Sequence, residues 1–280
     1  MKIVADTLGV ARSNLIERMQ GAPKPRTSYR RQGDDELLQA IRQLTDARPT
    51  YGYRRITALL NRARRASGAK PVNHKRVFRL MRQARLLLQP HTGLRPVRAH
   101  EGSVITLASN QRWSSDTLEI GCWNGEVVRI AFAIDTCDRE IIAWHATTGG
   151  ISGEIVRDLM LACVERRFAA IRAPHPVQWL ADNGSAYTAA ETLEFAAALG
   201  LVACFTPVRS PESNGVSEAF VKTLKRDYAR VQTKPDAATV LLMVPQWIED
   251  YNDNHPHSGL RMRSPRELIQ CQSQPAPCPV

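Results

Sequence analysis

The sequence predicts a mixed α/β domain preceded by an all-α basic region, and three observations carry that expectation. Up to residue 88 apolar residues recur at helical spacing, whereas from 110 to 232 β-rich segments alternate with helical ones. The charge is divided in the same way: residues 1–100 hold 22 Lys and Arg against 6 Asp and Glu, net +16, and residues 101–280 hold 16 against 21, net −5. Between Gln89 and Ser109, Pro, Gly and basic residues follow without periodicity, as in a linker. The expected organisation is a partial helix-turn-helix over 1–30, a helical region over 31–88, a linker over 89–109, an α/β core over 110–270 and a tail over 271–280.

In the basic half, VADTLGVARSNLIERM (4–19) reads as a helix, a turn at Gly9 and a second helix capped near Ser13, with the opening helix cut short. DDELLQAIRQLTD (34–46) sets Leu37, Leu38, Ile41 and Leu44 on one helical face behind an acidic first turn. YGYRRITALLNRARR (51–65) repeats the pattern through Ile56, Leu59, Leu60 and Ala63. NHKRVFRLMRQARLL (73–87) does so behind an Asn73 cap, with Lys75, Arg79 and Arg82 on one face and Val77, Met81 and Ala84 on another. A solvated charged face explains any one of these helices. The summed +16 favours DNA, bound by a helix-turn-helix-type module.

In the acidic half, residues 111–120, 126–135 and 140–149 are β-rich and separated by turns at Asn124-Gly125 and Asp138-Arg139, which suggests an antiparallel meander. A helix over 152–168, a strand over 176–182, a helix over 188–200 ended by Gly200, a strand from Leu201 to Thr206 and a long helix over 215–232 complete a βββαβαβα order. Three acids fall at telling places. Asp116 sits inside the first strand, where a charge is costly without compensation. Asp182 closes the fourth strand before the turn formers Asn183 and Gly184, and Glu218 opens the last helix, 65 and then 35 residues intervening.

Two function classes recede at this point. No run of about 18 apolar residues and no secretory leader is present, which gives no support for a membrane span and points to a cytoplasmic address. Six cysteines without a CxxC pair or zinc-finger spacing point to reduced thiols and not to structural zinc.

The acids and their flanks, with Trp113 three residues before Asp116, DNG at 182–184 and SPESNGVSE leading into Glu218, resemble the DDE transposases of bacterial insertion sequences, which share the retroviral-integrase catalytic core. YGYRRI and NHKRVFRLMR look like the DNA-binding region before that core, and YNDNHPHSGL followed by RSPREL looks like its closing segment, so the resemblance spans nearly the whole chain. It implies an RNase-H-like mixed five-stranded sheet flanked by helices, with Asp116, Asp182 and Glu218 as catalytic and metal-holding triad. The implied cofactor is Mg²⁺, as two ions, with Mn²⁺ as a substitute. Hard oxygen ligands suit such ions, and a metal pair can act on both the attacking and the leaving oxygen in phosphoryl transfer.

Lys225, seven residues after Glu218, matches the family's basic residue near the scissile phosphate, with Arg226 assisting; Lys222 also faces that way, although a plain i, i+4 pair with Glu218 accounts for it. Arg54 and Arg55 of YGYRRI join Lys75, Arg79 and Arg82 as expected DNA contacts. Asn214 is expected in a hinge-like loop opening the catalytic helix. His255 stands where the family usually has Arg, and His257 lies beyond Pro256; a metal site there lacks a third ligand. The implied partners are terminal inverted repeats and target DNA, further copies of the chain in a synaptic multimer, and the product of an upstream reading frame. A catalytically silent DNA-binding regulator of the same element is the alternative, and a nuclease of RNA-DNA hybrids a more remote one.

Overall fold

The structure, a computed structural model, describes residues 2–19, 31–89, 106–206 and 215–273. The expected linker lies almost wholly outside those residues, as do Asn214 and its loop and most of the tail. By packing the chain falls into two units, residues 1–40 and 41–280. The smaller unit begins with α1 (Lys2–Thr7) and α2 (Arg12–Met19), joined through Gly9 at φ +62, a left-handed turn that glycine adopts without strain. Helix α3 (Asp34–Ala47) runs across the division behind Asp34, Asp35 and Glu36.

The larger unit continues with α4 (Tyr53–Ala66) and α5 (His74–Gln83), and the Asn73 side chain caps α5 by accepting from Lys75 N at 2.8 Å. Then come β1 (Arg112–Gly121), β2 (Val127–Asp135), β3 (Ile141–Thr147), α6 (Gly153–Phe168), β4 (Val177–Ala181), α7 (Ser185–Thr188), α8 (Ala190–Ala198) and β5 (Leu201–Phe205). The chain closes with α9 (Gly215–Thr223), α10 (Ala237–Asn254) and α11 (Pro265–Ser273). The sheet order is β3-β2-β1-β4-β5, antiparallel through the first three strands and parallel where β4 joins β1 and β5. Helix α6 makes the crossover that a parallel neighbour requires.

Both faces of this sheet are covered, which explains why β2 reads VVRIAFAID with almost no polar alternation. Ala131 and Ala133 face the core beneath α6 and α8 with Trp113 and Trp179, while Ile130, Phe132 and Ile134 face the core beneath α9 and α10. Phe132 meets Phe220 of α9 at 4.6 Å, and Phe220 meets Tyr251 of α10 at 4.8 Å. Each such ring contributes about 1.5 to 3 kcal/mol by burial, enough to seat α9 on the sheet.

Three differences from the sequence reading have physical causes. The long helix expected over 215–232 ends as α-helix at Thr223, then widens into a π-helical turn (Leu224–Tyr228) and tightens into a 3₁₀ turn (Ala229–Val231). The wide turn buries Leu224, Asp227 and Tyr228 together. Helix α10 has no counterpart in the expected order; Pro245 inside it is exposed, so water can satisfy the carbonyl it leaves unpaired. Helix α11 was missed although Ser264 and Glu267 form a reciprocal cap, with Ser264 N donating to Glu267 Oε2 at 2.9 Å and Glu267 N to Ser264 Oγ at 3.3 Å. Among the described residues no helix is long and apolar enough to cross a membrane.

Candidate active site

Strand register places the two aspartates. β1 pairs in parallel with β4 through Trp113 to Trp179 and Ser114 to Leu180. Two residues further on, on the same side of each strand, stand Asp116 and Asp182, one in mid-strand and the other one residue past the end of β4. Glu218 lies in the first turn of α9, beside Ser217, whose hydroxyl donates to Ser114 Oγ at 3.0 Å in a fully buried bond. Ser115 completes the frame: its hydroxyl bonds Phe132 O at 3.0 Å and the Tyr187 hydroxyl at 2.9 Å, tying the segment after Asp182 to β1. Serines on either side of one strand thus anchor the other two acidic segments. The sequence reading missed Ser114, Ser115, Tyr187 and Ser217, since a serine in a strand carries no signal of its partner.

Each aspartate is also fixed locally. Asp116 Oδ1 accepts from Thr117 N at 2.7 Å, and Asp182 Oδ1 accepts from Gly184 N at 3.0 Å. A Cβ on residue 184 would lie 3.0 Å from that same oxygen, so glycine leaves the Asp182 carboxylate its room. Asn183 Nδ2 donates to Thr206 O at 3.1 Å and holds the turn against the end of β5.

Asp116 feels the other two acids. Asp116 is raised from its ordinary value, by burial first and then by the negative charges of Asp182 and Glu218. Three hard carboxylates on neighbouring elements suit a divalent cation. They do not stand as a formed cage: among the described residues no group of three acidic, imidazole or thiol side chains is arranged to hold a metal ion. Glu218 Oε2 is instead held by Lys222 Nζ at 3.2 Å, the i, i+4 pair that the spacing suggested.

The expected DNA contacts divide into two sets. Lys225 on the π-helical turn and Arg54, Lys75 and Arg82 on α4 and α5 are exposed, whereas Arg79 is half-buried. Arg55 and Arg226 converge on Asp227, whose side chain is 1% exposed: Arg55 Nη1 reaches Oδ2 at 3.0 Å, and Arg226 Nε and Nη2 reach both oxygens at 2.6 Å. This pairing belongs to a seam that fastens α4 and the turn before it to the C-terminal helices. Arg48 bonds Asp250 at 2.5 and 2.7 Å, Tyr228 donates to Asp250 at 2.9 Å, and Arg62 reaches Glu267 at 2.5 Å. Apart from the adjacent Arg226 and Asp227, these partners lie 22 or more residues from their mates, so residue spacing could not reveal them.

His255 belongs to the same seam. It is 1% exposed, bonded through Nδ1 to the Tyr51 hydroxyl at 2.8 Å and stacked on Tyr251 at 5.4 Å, too deep to meet a phosphate. Burial, then His257 and the Arg55, Arg226 and Arg48 guanidiniums push its imidazole far below 6.5. His257 is lowered to about 3, by burial first and then by Arg139 and Arg55. Both rings are neutral in the fold at neutral pH, whereas in the unfolded chain they titrate near 6.5.

Folded values depressed below the unfolded ones leave this stability present above pH 6.5 and remove it as pH falls. Each ring is expected to add a slope of about 1.4 kcal/mol per pH unit from there down to its folded value. Asp135 opposes part of this loss, because burial and then Asp138 raise it to about 6, and it gains its proton in the fold before the unfolded carboxylate does. Denaturant midpoints measured from about pH 7.5 to about pH 5 check the balance: wild type should lose stability with acid more steeply than His257→Asn. Parallel curves would refute it.

Comparison with known proteins bears on the whole arrangement. Residues 107–211 and 200–265 match two families each described as an integrase core domain, and residues 32–92 match an HTH-like domain. The transposase InsD for insertion element IS2D of Escherichia coli (strain K12) is 50% identical over 238 residues, covering 85% of this chain and 79% of that protein. An insertion element IS136 protein of Agrobacterium fabrum is 60% identical over 189 residues, covering 67% of this chain and 97% of that one. A solved chain of the simian T-cell lymphotropic virus intasome aligns at 15% identity with a TM-score of 0.49, over 86% of this chain and 77% of that one. On its sequence relatives and its integrase core, the chain belongs to the DDE transposases of bacterial insertion sequences.

Proposed function

We propose that this chain cuts and joins DNA at the ends of an insertion sequence: hydrolysis of a phosphodiester exposes a 3′-OH, which then attacks a second phosphodiester at the same site. The observation that supports the reading is the register of β1 on β4, with Asp116 and Asp182 each two residues beyond the paired Ser114 and Leu180, and Glu218 next to Ser217, which bonds Ser114. Asp116, held on β1, would hold the metal pair together with Asp182 and Glu218. A pair of Mg²⁺ ions, when bound, would stabilise charge on the attacking and leaving oxygens. The chain itself supplies placement. Lys225 faces outward beyond Glu218 to receive a phosphate near the scissile bond, and Lys222 adds charge beside it.

End DNA lies along α4 and α5 on Arg54, Lys75, Arg79 and Arg82. Arg55 and Arg226 are reassigned from DNA to Asp227, which they already neutralise. We retain the helical region 31–88 as the DNA-binding part and 110–270 as the catalytic core, joined by the seam from α4 to α10 and α11. Bringing two terminal repeats together calls for more than one copy of the chain. Labelled end duplex incubated with Mg²⁺ or Mn²⁺ tests the reading: a 3′-nicked strand and then a joined product are expected. Binding without nicking under either metal would favour the regulator.

A further inference from the structure

A cleft of about 900 Å³ separates α4 and the start of α5 from the turn 261–263 and α11. Its rim carries Arg54 and Arg65 from α4, His74 from α5, and Arg261 and Arg263 from the turn. All four arginines are exposed or half-exposed, and among the described residues none has a carboxylate within ion-pair distance. Their neighbours differ: Arg48, Arg55 and Arg62 are all paired, and the one carboxylate in the cleft, Glu267, is already engaged by Arg62 and by Ser264 N. The cleft therefore presents uncompensated positive charge on both walls.

The turn that carries two of these charges is held in a set shape. Arg261 and Met262 have left-handed backbones, at φ +55 and +64, which non-glycine residues adopt only where surrounding structure imposes it. Four bonds impose it here: His257 N to Arg263 O at 3.0 Å, Met262 N to His257 O at 2.7 Å, Leu260 N to His257 O and Arg263 N to Leu260 O, both at 3.1 Å. Half-buried His257 and buried Leu260 anchor the turn to the core, so Arg261 and Arg263 stand on a rigid support opposite α4.

We propose that this cleft is a DNA-backbone track shared between α4 and the C-terminal turn, so that Arg261 and Arg263 grip phosphates of the same end DNA that the helical region binds. The inference rests on the DNA-binding part of the function proposed above. Continuity favours DNA over an acidic protein: the cleft opens at His74, the first residue of α5, and the cationic face of α5 with Lys75 and Arg82 continues from there. A duplex on that face has its backbone beside the cleft. One grip built from both ends of the chain also explains why α4 is ion-paired to α11 through Arg62 and Glu267.

The test uses the full chain with labelled end duplex, and reads the affinity over a range of salt concentrations in wild type, Arg261→Gln/Arg263→Gln and Arg261→Lys/Arg263→Lys. For each phosphate no longer gripped, the slope of log K on log salt should fall by about 1, so the double Gln variant should show a slope shallower by about 2 with weaker binding. The double Lys variant should keep the wild-type slope. Partial misfolding lowers the competent fraction without changing the slope, so the readout separates a missing phosphate grip from a structural defect. A wild-type slope in the double Gln variant overturns the track and leaves the proposed function standing; if that variant also loses retention of polyglutamate, the cleft serves an acidic protein. Failure of wild type to bind duplex DNA at all overturns the function and the track together.

Discussion

Asp182→Asn is expected to abolish cleavage and strand transfer while leaving the affinity for end DNA close to that of wild type. The substitution keeps shape and local bonding, because the amide oxygen can still accept from Gly184 N as Oδ1 does at 3.0 Å. What it removes is one negative charge beside Asp116, which is raised partly by Asp182 and Glu218. An uncharged amide is a poorer ligand for a hard divalent cation. If that costs about 4 kcal/mol of transition-state stabilisation, the rate falls by about three orders of magnitude. In the function proposed above, DNA affinity rests on arginines and lysines of α4 and α5, which the substitution leaves unchanged. Single-turnover nicking at saturating DNA, alongside an equilibrium binding curve, checks both halves. Normal nicking in Asp182→Asn would remove that residue from the chemistry, and weakened binding with normal nicking would make it a DNA contact.

The residues that place these acids show how far a sequence can be read. The five strands and, apart from the short α7, the helices up to residue 223 followed from periodicity, turn formers and caps, because those signals are local: Asn73 does cap α5 and Gly9 does turn with positive φ. Helix α10 was not among the expected elements, and the cost of Pro245 inside it depends on which side of the helix faces water, which only the fold decides. Helix α11 had its Ser264 to Glu267 signal in plain view.

At the site, the residue types and their order pointed to Asp116, Asp182 and Glu218, yet the serines that join their strands and helix did not stand out. A hydroxyl's partner 103 residues away, as for Ser217 and Ser114, is fixed by register and packing and leaves no trace in spacing. The same limit applied to charge. Exposed and buried arginines look alike in sequence, so Arg55 and Arg226 were counted toward DNA although Asp227 holds both. Net charge survives this correction because Arg54, Arg65, Arg261 and Arg263 remain without a described carboxylate partner.

The Asp227 junction carries the second large effect, and it joins stability to catalysis. Asp227→Ala should leave Arg55 and Arg226 facing one another without the carboxylate between them, beside the neutral His255 and under the partly buried seam. Removing one partner of a buried ion pair typically costs about 3 to 5 kcal/mol, and the two arginines, at 26% and 45% side-chain exposure, recover part of it by turning to water. A loss of about 3 kcal/mol is therefore expected, seen as a lower denaturant midpoint at unchanged slope. Arg55→Ala should cost less, since Arg226 still holds both oxygens of the carboxylate.

Position makes the junction matter for chemistry as well. Asp227 lies on the π-helical turn directly after α9, and Arg55 is on α4, so the bond ties the element bearing Glu218 to the helix expected on DNA. With it broken, α9 keeps its Phe220 and Ser217 anchors but loses the hold on its C-terminal end. Turnover on bound DNA should then fall more than affinity does, below the temperature at which the variant unfolds. Equal loss of both, or unchanged turnover in a folded Asp227→Ala, would show that α9 is placed by its contacts with the sheet alone.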